Sequence, residues 1–192
     1  MKQKKSNTLI ITALFLVAAS LLRMINAETG WYHFTPIVAM SIFSGAILKR
    51  QPIAFVLPLL AYLLSDVYMQ VVHHNGFYGI SQSFVYGGML LVVLLGSYMK
   101  RKNIKNIAGF SIGGTLIFWV VSNLGVFLDG SYGLSWQGFF TTYLMALPFY
   151  RVEIATTLFT NALVGDLIFS GVFFGCYALL SRRKQVSNQL AK

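Results

Sequence analysis

The chain has 192 residues, of which 56% are hydrophobic and only 10% are charged. Soluble domains carry about a quarter charged residues, so this composition excludes an ordinary soluble domain and indicates an integral membrane protein. The formal charge of +10 does not indicate nucleic-acid binding, because every basic residue except Arg23 and Arg151 lies in a cluster beside an apolar run or at the tail. We predict a single integral membrane domain over residues 1–192.

Six apolar runs predict six membrane crossings in an all-α helical bundle. They cover residues 8–24, 34–48, 52–72, 81–99, 107–128 and 153–181. About 20 residues cross the hydrocarbon layer, so the second run is short and the sixth is long. The first run resembles a secretory signal peptide, but Arg23 and Ile25 do not suit a cleavage site, which favours a retained helix.

The basic clusters predict the orientation of the chain. If the N-terminal lysines lie in the cytoplasm, six crossings place every basic cluster on the cytoplasmic side, as the positive-inside rule expects, and both termini are cytoplasmic. Residues 136–150 form a further apolar and aromatic segment. A full crossing there would move Arg182, Arg183 and Lys184 outside, so we predict a short external or re-entrant helix.

Polar pairs interrupt three of the apolar runs. They are Ser65-Asp66, Ser122-Asn123 and Gly165-Asp166. A carboxylate at the centre of a bilayer costs about 3 kcal/mol, and such residues usually face the bundle interior or line a polar pathway. These interruptions therefore indicate a polar site inside the bundle.

Helix geometry predicts one shared layer of polar side chains. With a rise of about 1.5 Å per residue, four residues lie at similar distances from the cytoplasmic boundary, namely Arg23, Asp66, Asn123 and Asp166. One arginine against two aspartates leaves surplus negative charge, so either one aspartate is protonated or a cation joins the layer. The structural alternative is that these groups form ion pairs or bond to helix backbones, and we favour this structural role for Asn123.

The predicted external loops are rich in aromatic residues and histidines, including Trp31, His33, His74 and Trp136. Such residues at helix ends are typical of the interfacial belt. The alternative is that the loops together form the wall of a lidded substrate pocket. Arg151 is predicted to anchor the entry to the last helix, with contact to an anionic group of a substrate as the alternative.

Small residues spaced four apart predict close helix packing. The pairs are Ser41 with Gly45, Gly109 with Gly113, and Gly171 with Gly175. Internal packing is the simpler interpretation, and a docking face for another membrane subunit is the alternative.

The sequence contains no enzyme, cofactor or metal signature. It has no Walker A loop, so any ATP hydrolysis would occur on another chain. The single cysteine, Cys176, excludes an intramolecular disulfide and a cysteine metal cage. The adjacent His73 and His74 do not have the spacing of a metal-binding helix. We therefore predict a protein that is not an enzyme and needs no cofactor or metal.

Five short motifs along the chain are relevant to its family. They are FTPIVA at residues 34–39, LSD at 64–66, SNLGV at 122–126, ALPFY at 146–150 and Gly165-Asp166. Over residues 31–175 the chain resembles an uncharacterised bacterial family of membrane transport proteins, a domain of unknown function. That family is similar to the substrate-binding S components of energy-coupling factor (ECF) transporters. The resemblance implies six helices in the bacterial inner membrane, cytoplasmic termini and a vitamin pocket on the outer side.

We therefore expect a transport component that binds a small, vitamin-like nutrient from the outer side. Its expected partners are the lipid bilayer, the nutrient and an ATPase or coupling membrane module. Ala13, Ala18 and Ala19 depart from the AxxxA patch with which many S components dock on that module. The alternatives are a structural or assembly membrane protein whose polar layer locks the bundle, and a proton-coupled secondary transporter with Asp66 or Asp166 as the proton site.

Overall fold

The computed structural model describes residues 2–29, 35–146 and 155–190, and the side chains of residues 8–29, 35–146 and 162–181. The described residues form helices α1 Lys2–Thr29, α2 Ile37–Leu48, α3 Pro52–His73, α4 Ile80–Ser97, α5 Ile104–Leu128, α6 Trp136–Met145 and α7 Ala155–Leu190. Five of these contain stretches long and apolar enough to cross a membrane, at Thr8–Thr29, Pro52–His73, Ile80–Ser97, Ile104–Leu128 and Ala162–Ser181. The predicted all-α membrane bundle agrees with this architecture.

The second predicted crossing forms only a short helix, α2, at the centre of the bundle. Its 12 residues correspond to about 18 Å, compared with about 30 Å of hydrocarbon. All but Ile37 and Ile47 are buried, which explains why the helix is apolar on every side. Likewise, the predicted segment 136–150 is helical over Trp136–Met145, and its residues beyond 146 lie outside the described part of the chain.

Helices α1 to α5 and α7 alternate in direction along the sequence. The start of α1, the α2–α3 and α4–α5 connections and the end of α7 therefore lie at one end of the bundle, which we call the basic end because these segments carry the basic clusters. The pairings that establish this order are Ser20 with Ala61, Arg23 with Asp66, Lys49 with Met99, Ser111 with Ser170, and Thr115 with Asp166.

Tight packing fills the half of the bundle nearest the basic end. The Phe43 ring lies 5.2–5.8 Å from the rings of Phe15, Phe173 and Phe174. Helices α2 and α4 cross closely because Gly45 abuts the backbone of α4 and Gly96 abuts the backbone of α2, with no space for a Cβ atom at either position. This half is a solid core.

The paired small residues separate into internal and outward-facing positions. Ser41 is fully buried and Gly45 packs against α4, in agreement with internal packing. Open space surrounds Gly109, Gly171 and Gly175, and Gly113 meets only the side chain of Leu95 at 3.8 Å. The prediction of internal packing therefore fits the first pair, whereas the other two pairs contribute little to packing within the bundle.

A proline inside α3 explains one of the buried serines. Pro58 has no backbone N–H, so the carbonyl of Ala54 loses its usual helical partner. The Ser44 hydroxyl from α2 donates to that carbonyl at 2.7 Å. A side chain on the neighbouring helix thus satisfies a backbone group that has no water to bond in an apolar surrounding.

The outer faces of the long helices are apolar, while many polar side chains point inward. On α1 the exposed face consists of Ile10, Leu14, Val17, Leu21 and Ile25, at spacings of three and four residues. On the same helix Thr12 and Ser20 are buried. Apolar outside and polar inside is the arrangement that a lipid environment favours.

Candidate functional site

A cavity of about 580 Å³ occupies the half of the bundle remote from the basic end. Helices α1, α2, α3, α4, α5 and α7 all contribute to its wall, and Asp129 and Ser131 line it beyond the end of α5. Its lining includes the polar residues Arg23, Asn26, Thr35, Ser81, Thr115, Ser122, Asn123 and Asp166, and the aromatic residues Tyr62, Tyr78, Phe118 and Trp119.

The shortness of α2 explains why the cavity lies there. The neighbouring helices extend over 18 residues or more, whereas α2 begins only at Ile37 and extends about 18 Å towards the basic end. Thr35, Ile37 and Val38 line the cavity, so the N-terminus of α2 forms part of its floor.

One polar cluster, formed by Asp66 and its partners, lies beside the cavity between α1, α3 and α4. Asp66 is fully buried, and its Oδ1 accepts a hydrogen bond of 2.6 Å from Nη1 of Arg23. The same Nη1 also donates to the Ser65 hydroxyl. Asp66 Oδ2 accepts from Gln82 Nε2 at 2.8 Å and from Tyr86 Oη at 2.7 Å. Both carboxylate oxygens are thus satisfied by protein groups.

Arg23 connects this cluster to the cavity. Its guanidinium carbon lies 3.9 Å from the centre of the Tyr62 ring, a cation–π arrangement that fixes the side chain. Only Nη1 bonds to other described side chains, although the guanidinium carries five N–H groups. Arg23 also lines the cavity, so it belongs both to the cluster and to the cavity wall.

A second cluster, around Asp166, forms part of the cavity floor. Asp166 is 2% exposed; its Oδ1 accepts from the backbone N–H of Ala39 at 3.3 Å and its Oδ2 accepts from the Thr115 hydroxyl at 2.9 Å. Pro36, at the N-cap of α2, supplies no side-chain cap. The carboxylate of α7 therefore caps α2 from a neighbouring helix, where the helix dipole favours negative charge.

The four polar residues predicted to share a layer are divided between different depths. Asn123 lies eight residues beyond Thr115 on α5, which is about 12 Å along the helix, whereas Asp166 contacts Thr115 itself. The Asn123 side-chain nitrogen donates to the Trp119 carbonyl at 2.8 Å. Arg23, Asn123 and Asp166 nevertheless line the same cavity, and Asp66 bonds Arg23 from behind its wall.

The predicted external residues contribute less to the described cavity. His74 is exposed at the end of α3 and Trp136 is 80% exposed at the start of α6, and neither lines the cavity. Trp31, His33 and Arg151 lie outside the described residues. Among the residues that the structure describes, no group of three metal-ligating side chains is present.

Sequence reasoning missed the aromatic wall of the cavity. Thr115, Trp119, Ser122 and Val126 follow one another at spacings of four, three and four residues and all line the cavity. These spacings place them on one face of α5, so the helical period around Asn123 would have identified Trp119. Tyr78 follows α3 in a connecting segment, and burial together with the nearby Tyr62 raises the pKa of its phenol, which stays a neutral hydrogen-bond donor.

Helix length and composition, together with the inward-facing polar clusters, define a multi-pass helical membrane protein. Residues 2–189 match a family of unknown function, DUF6580, and the chain belongs to that family. Comparisons with curated proteins and with solved structures found no match.

Proposed function

We propose that this protein captures a small, vitamin-like nutrient in the cavity and acts as a membrane transport component. The observation that carries the proposal is a cavity of about 580 Å³ between apolar helices, lined by aromatic rings and by a few polar groups. Small-molecule sites typically occupy about 300–1,000 Å³ and combine apolar walls with a few convergent polar groups.

The polar groups are arranged so that they can orient a ligand. Arg23 is held by Asp66 and Tyr62 and lines the cavity, and its guanidinium has N–H groups beyond the one that bonds Asp66. Thr115, Asn123 and Asp166 supply hydroxyl, amide and carboxylate groups on other parts of the wall. Groups that are fixed before binding lose little conformational entropy when the ligand arrives, which favours affinity.

The distribution of charge supports capture from the outer side of a bacterial inner membrane. The basic clusters lie at the end of the bundle opposite the cavity, and basic residues prefer the cytoplasmic side. In this arrangement both termini are cytoplasmic, and the apolar run 34–48, which contains α2, completes the six predicted crossings. This topology and an outward cavity are what the resemblance to ECF S components implies.

Release to the cytoplasm requires a source of energy, and the chain carries no nucleotide-binding loop. By analogy with S components, a partner ATPase and coupling module would supply it. Proton coupling through Asp66 or Asp166 is the alternative. Uptake by cells in which the proton gradient is dissipated and ATP is retained distinguishes the two: continued uptake supports the ATPase module.

The capture hypothesis is tested by ligand-dependent thermal stabilisation of the purified full chain in detergent. A vitamin panel is screened against the natural chain and against Ser122→Phe, which places a ring in the cavity. The matched control is Val120→Phe, two residues away on α5 and 47% exposed. We expect at least one compound to raise the melting temperature of the natural chain and of Val120→Phe but not of Ser122→Phe.

The main alternative is a structural or assembly membrane protein in which the polar clusters only lock the helices. That function predicts that no compound raises the melting temperature, and that Asp66→Asn and Asp166→Asn only lower it. Stabilisation that persists in Ser122→Phe would also contradict capture in this cavity.

A further inference from the structure

We propose that the captured molecule is an aromatic organic cation, with its positive nitrogen beside Asp166 and its ring against Phe118 and Trp119. This inference rests on the proposed function, because it assigns the chemical class of the ligand to the same cavity. Three features of the described residues support it.

The first feature is an unequal balance of charge around the cavity. Within the described part of the chain, the wall contains one cation, Arg23, and two carboxylates, Asp129 and Asp166. The charge of Arg23 is already offset by Asp66, 2.6 Å away behind the wall. Among the described residues, neither Asp129 nor Asp166 has a cationic partner, and a positively charged ligand would supply one.

The second feature is the bonding of Asp166. Its two oxygens accept from neutral donors only, the Ala39 backbone N–H and the Thr115 hydroxyl. A carboxylate has about four acceptor positions, and the backbone of Val38 is the only further donor to this one within the described residues. A buried carboxylate is ordinarily paired with a cation, as Asp66 is, so the cavity side of Asp166 suits a cationic group.

The third feature is the aromatic wall beside that carboxylate. Phe118 and Trp119 lie three and four residues after Thr115 on α5, on the face that lines the cavity. The hydroxyl of Thr115 contacts Asp166, so the rings lie about one helical turn from the carboxylate. Aromatic faces attract cations, most strongly in sites shielded from water. A ligand ring that carries a positive nitrogen would interact both with the Asp166 carboxylate and with these aromatic rings.

The test compares three probes of nearly equal size: 1-methylnicotinamide, which is a cation, nicotinamide, which is neutral, and nicotinate, which is an anion. Affinities are measured by isothermal titration calorimetry with the full chain in detergent. We expect 1-methylnicotinamide to bind about tenfold more tightly than nicotinamide, and nicotinate to bind most weakly. In Asp166→Asn the cation should lose about tenfold in affinity while nicotinamide is nearly unaffected.

Glu28→Gln is the matched control because it removes a carboxylate on α1 that does not line the cavity. Its preference for the cation should equal that of the natural chain. Asparagine at position 166 retains an oxygen for the Ala39 amide, and the melting temperature of the variant reports whether it is folded.

Each outcome decides the inference. Loss of the cation preference in Asp166→Asn, with the preference intact in Glu28→Gln, supports it. If the neutral or anionic probe binds as tightly as the cation or more tightly, the inference is overturned and the capture hypothesis stands. A cation preference that survives in Asp166→Asn has the same consequence. If none of the three probes binds, the charge of the vitamin that stabilises the chain through the cavity decides: an aromatic cation supports this ligand class, and a neutral or anionic vitamin overturns it. If nothing binds in either experiment, both proposals fail.

Discussion

Asp66 and Asp166 are both buried carboxylates within apolar helices, yet their surroundings differ. Asp66 has Arg23, Gln82 and Tyr86 as partners and lies behind the cavity wall. Asp166 has neutral donors only, among the described residues, and lines the cavity. The first is a completed ion-pair network that holds three helices together. The second is a helix cap that also lines the cavity.

The largest expected difference comes from the same substitution at the two sites. Asp66→Asn breaks a buried ion pair and should lower the free energy of unfolding by about 3 kcal/mol. Asp166→Asn should change it by about 1 kcal/mol at most, because asparagine still caps the helix and only the interaction of the charge with the helix dipole is lost. Denaturation in mixed detergent micelles measures both. Equal effects would mean that the two carboxylates have the same role.

A smaller effect is expected from removing one neutral donor to Asp66. Tyr86→Phe removes the phenol that donates to Oδ2 at 2.7 Å and should cost about 1.5 kcal/mol of unfolding free energy, since the acceptor is buried and charged. Tyr98→Phe is the control because Tyr98 is exposed. A loss in the control as large as in Tyr86→Phe would contradict a specific contribution of the network.

Removing the side-chain donor to Asp166 should lower the free energy of unfolding by less than Tyr86→Phe does. Thr115→Val keeps the side-chain shape and removes the hydroxyl that contacts Oδ2 at 2.9 Å. We expect a loss of about 0.6 kcal/mol, the average for a hydrogen bond between membrane helices. Thr141→Val, at a half-buried position on α6 where the hydroxyl donates only to the Gln137 carbonyl of its own helix, provides the baseline in the same unfolding assay. A loss in Thr115→Val that exceeds that of Tyr86→Phe would reverse the proposed ranking of the two sites.

The smallest effect is expected at a third carboxylate, which lies on the surface. Glu28 is 47% exposed and accepts from Tyr68 and pairs with His73, both at 2.8 Å. Exposed pairs contribute little because water screens them. Glu28→Gln should therefore leave the melting temperature unchanged. A clear decrease would show that this pair holds α1 against α3 beside the cavity.

The local sequence was sufficient to predict the helices and several of the polar residues at the site. Long apolar stretches predict spanning helices because backbone groups in lipid must bond within their own segment. Arg23, Asp66 and Asp166 were identifiable because charge in such a stretch is costly and therefore informative. Residue counting along each helix predicted that Arg23 and Asp66 lie at similar depth, and the structure pairs them at 2.6 Å.

The division into two clusters depended on how the helices pack. Counting from assumed boundaries placed Asn123 and Asp166 at one depth, but the contact of Asp166 with Thr115 separates them by about two turns of α5. The sequence of α2 does not reveal that Asp166, which lies 127 positions after Ala39, caps the N-terminus of this helix.

The sequence by itself determined that the chain is a helical membrane protein with polar groups inside, because hydropathy and helical period are local properties. Only the tertiary structure decided that Asp66 forms an ion pair with an arginine and that Asp166 lines the cavity. The reason is the short helix α2: its N-terminus at Ile37 forms part of the cavity floor between longer neighbours, and the size of the cavity depends on packing rather than on any single segment.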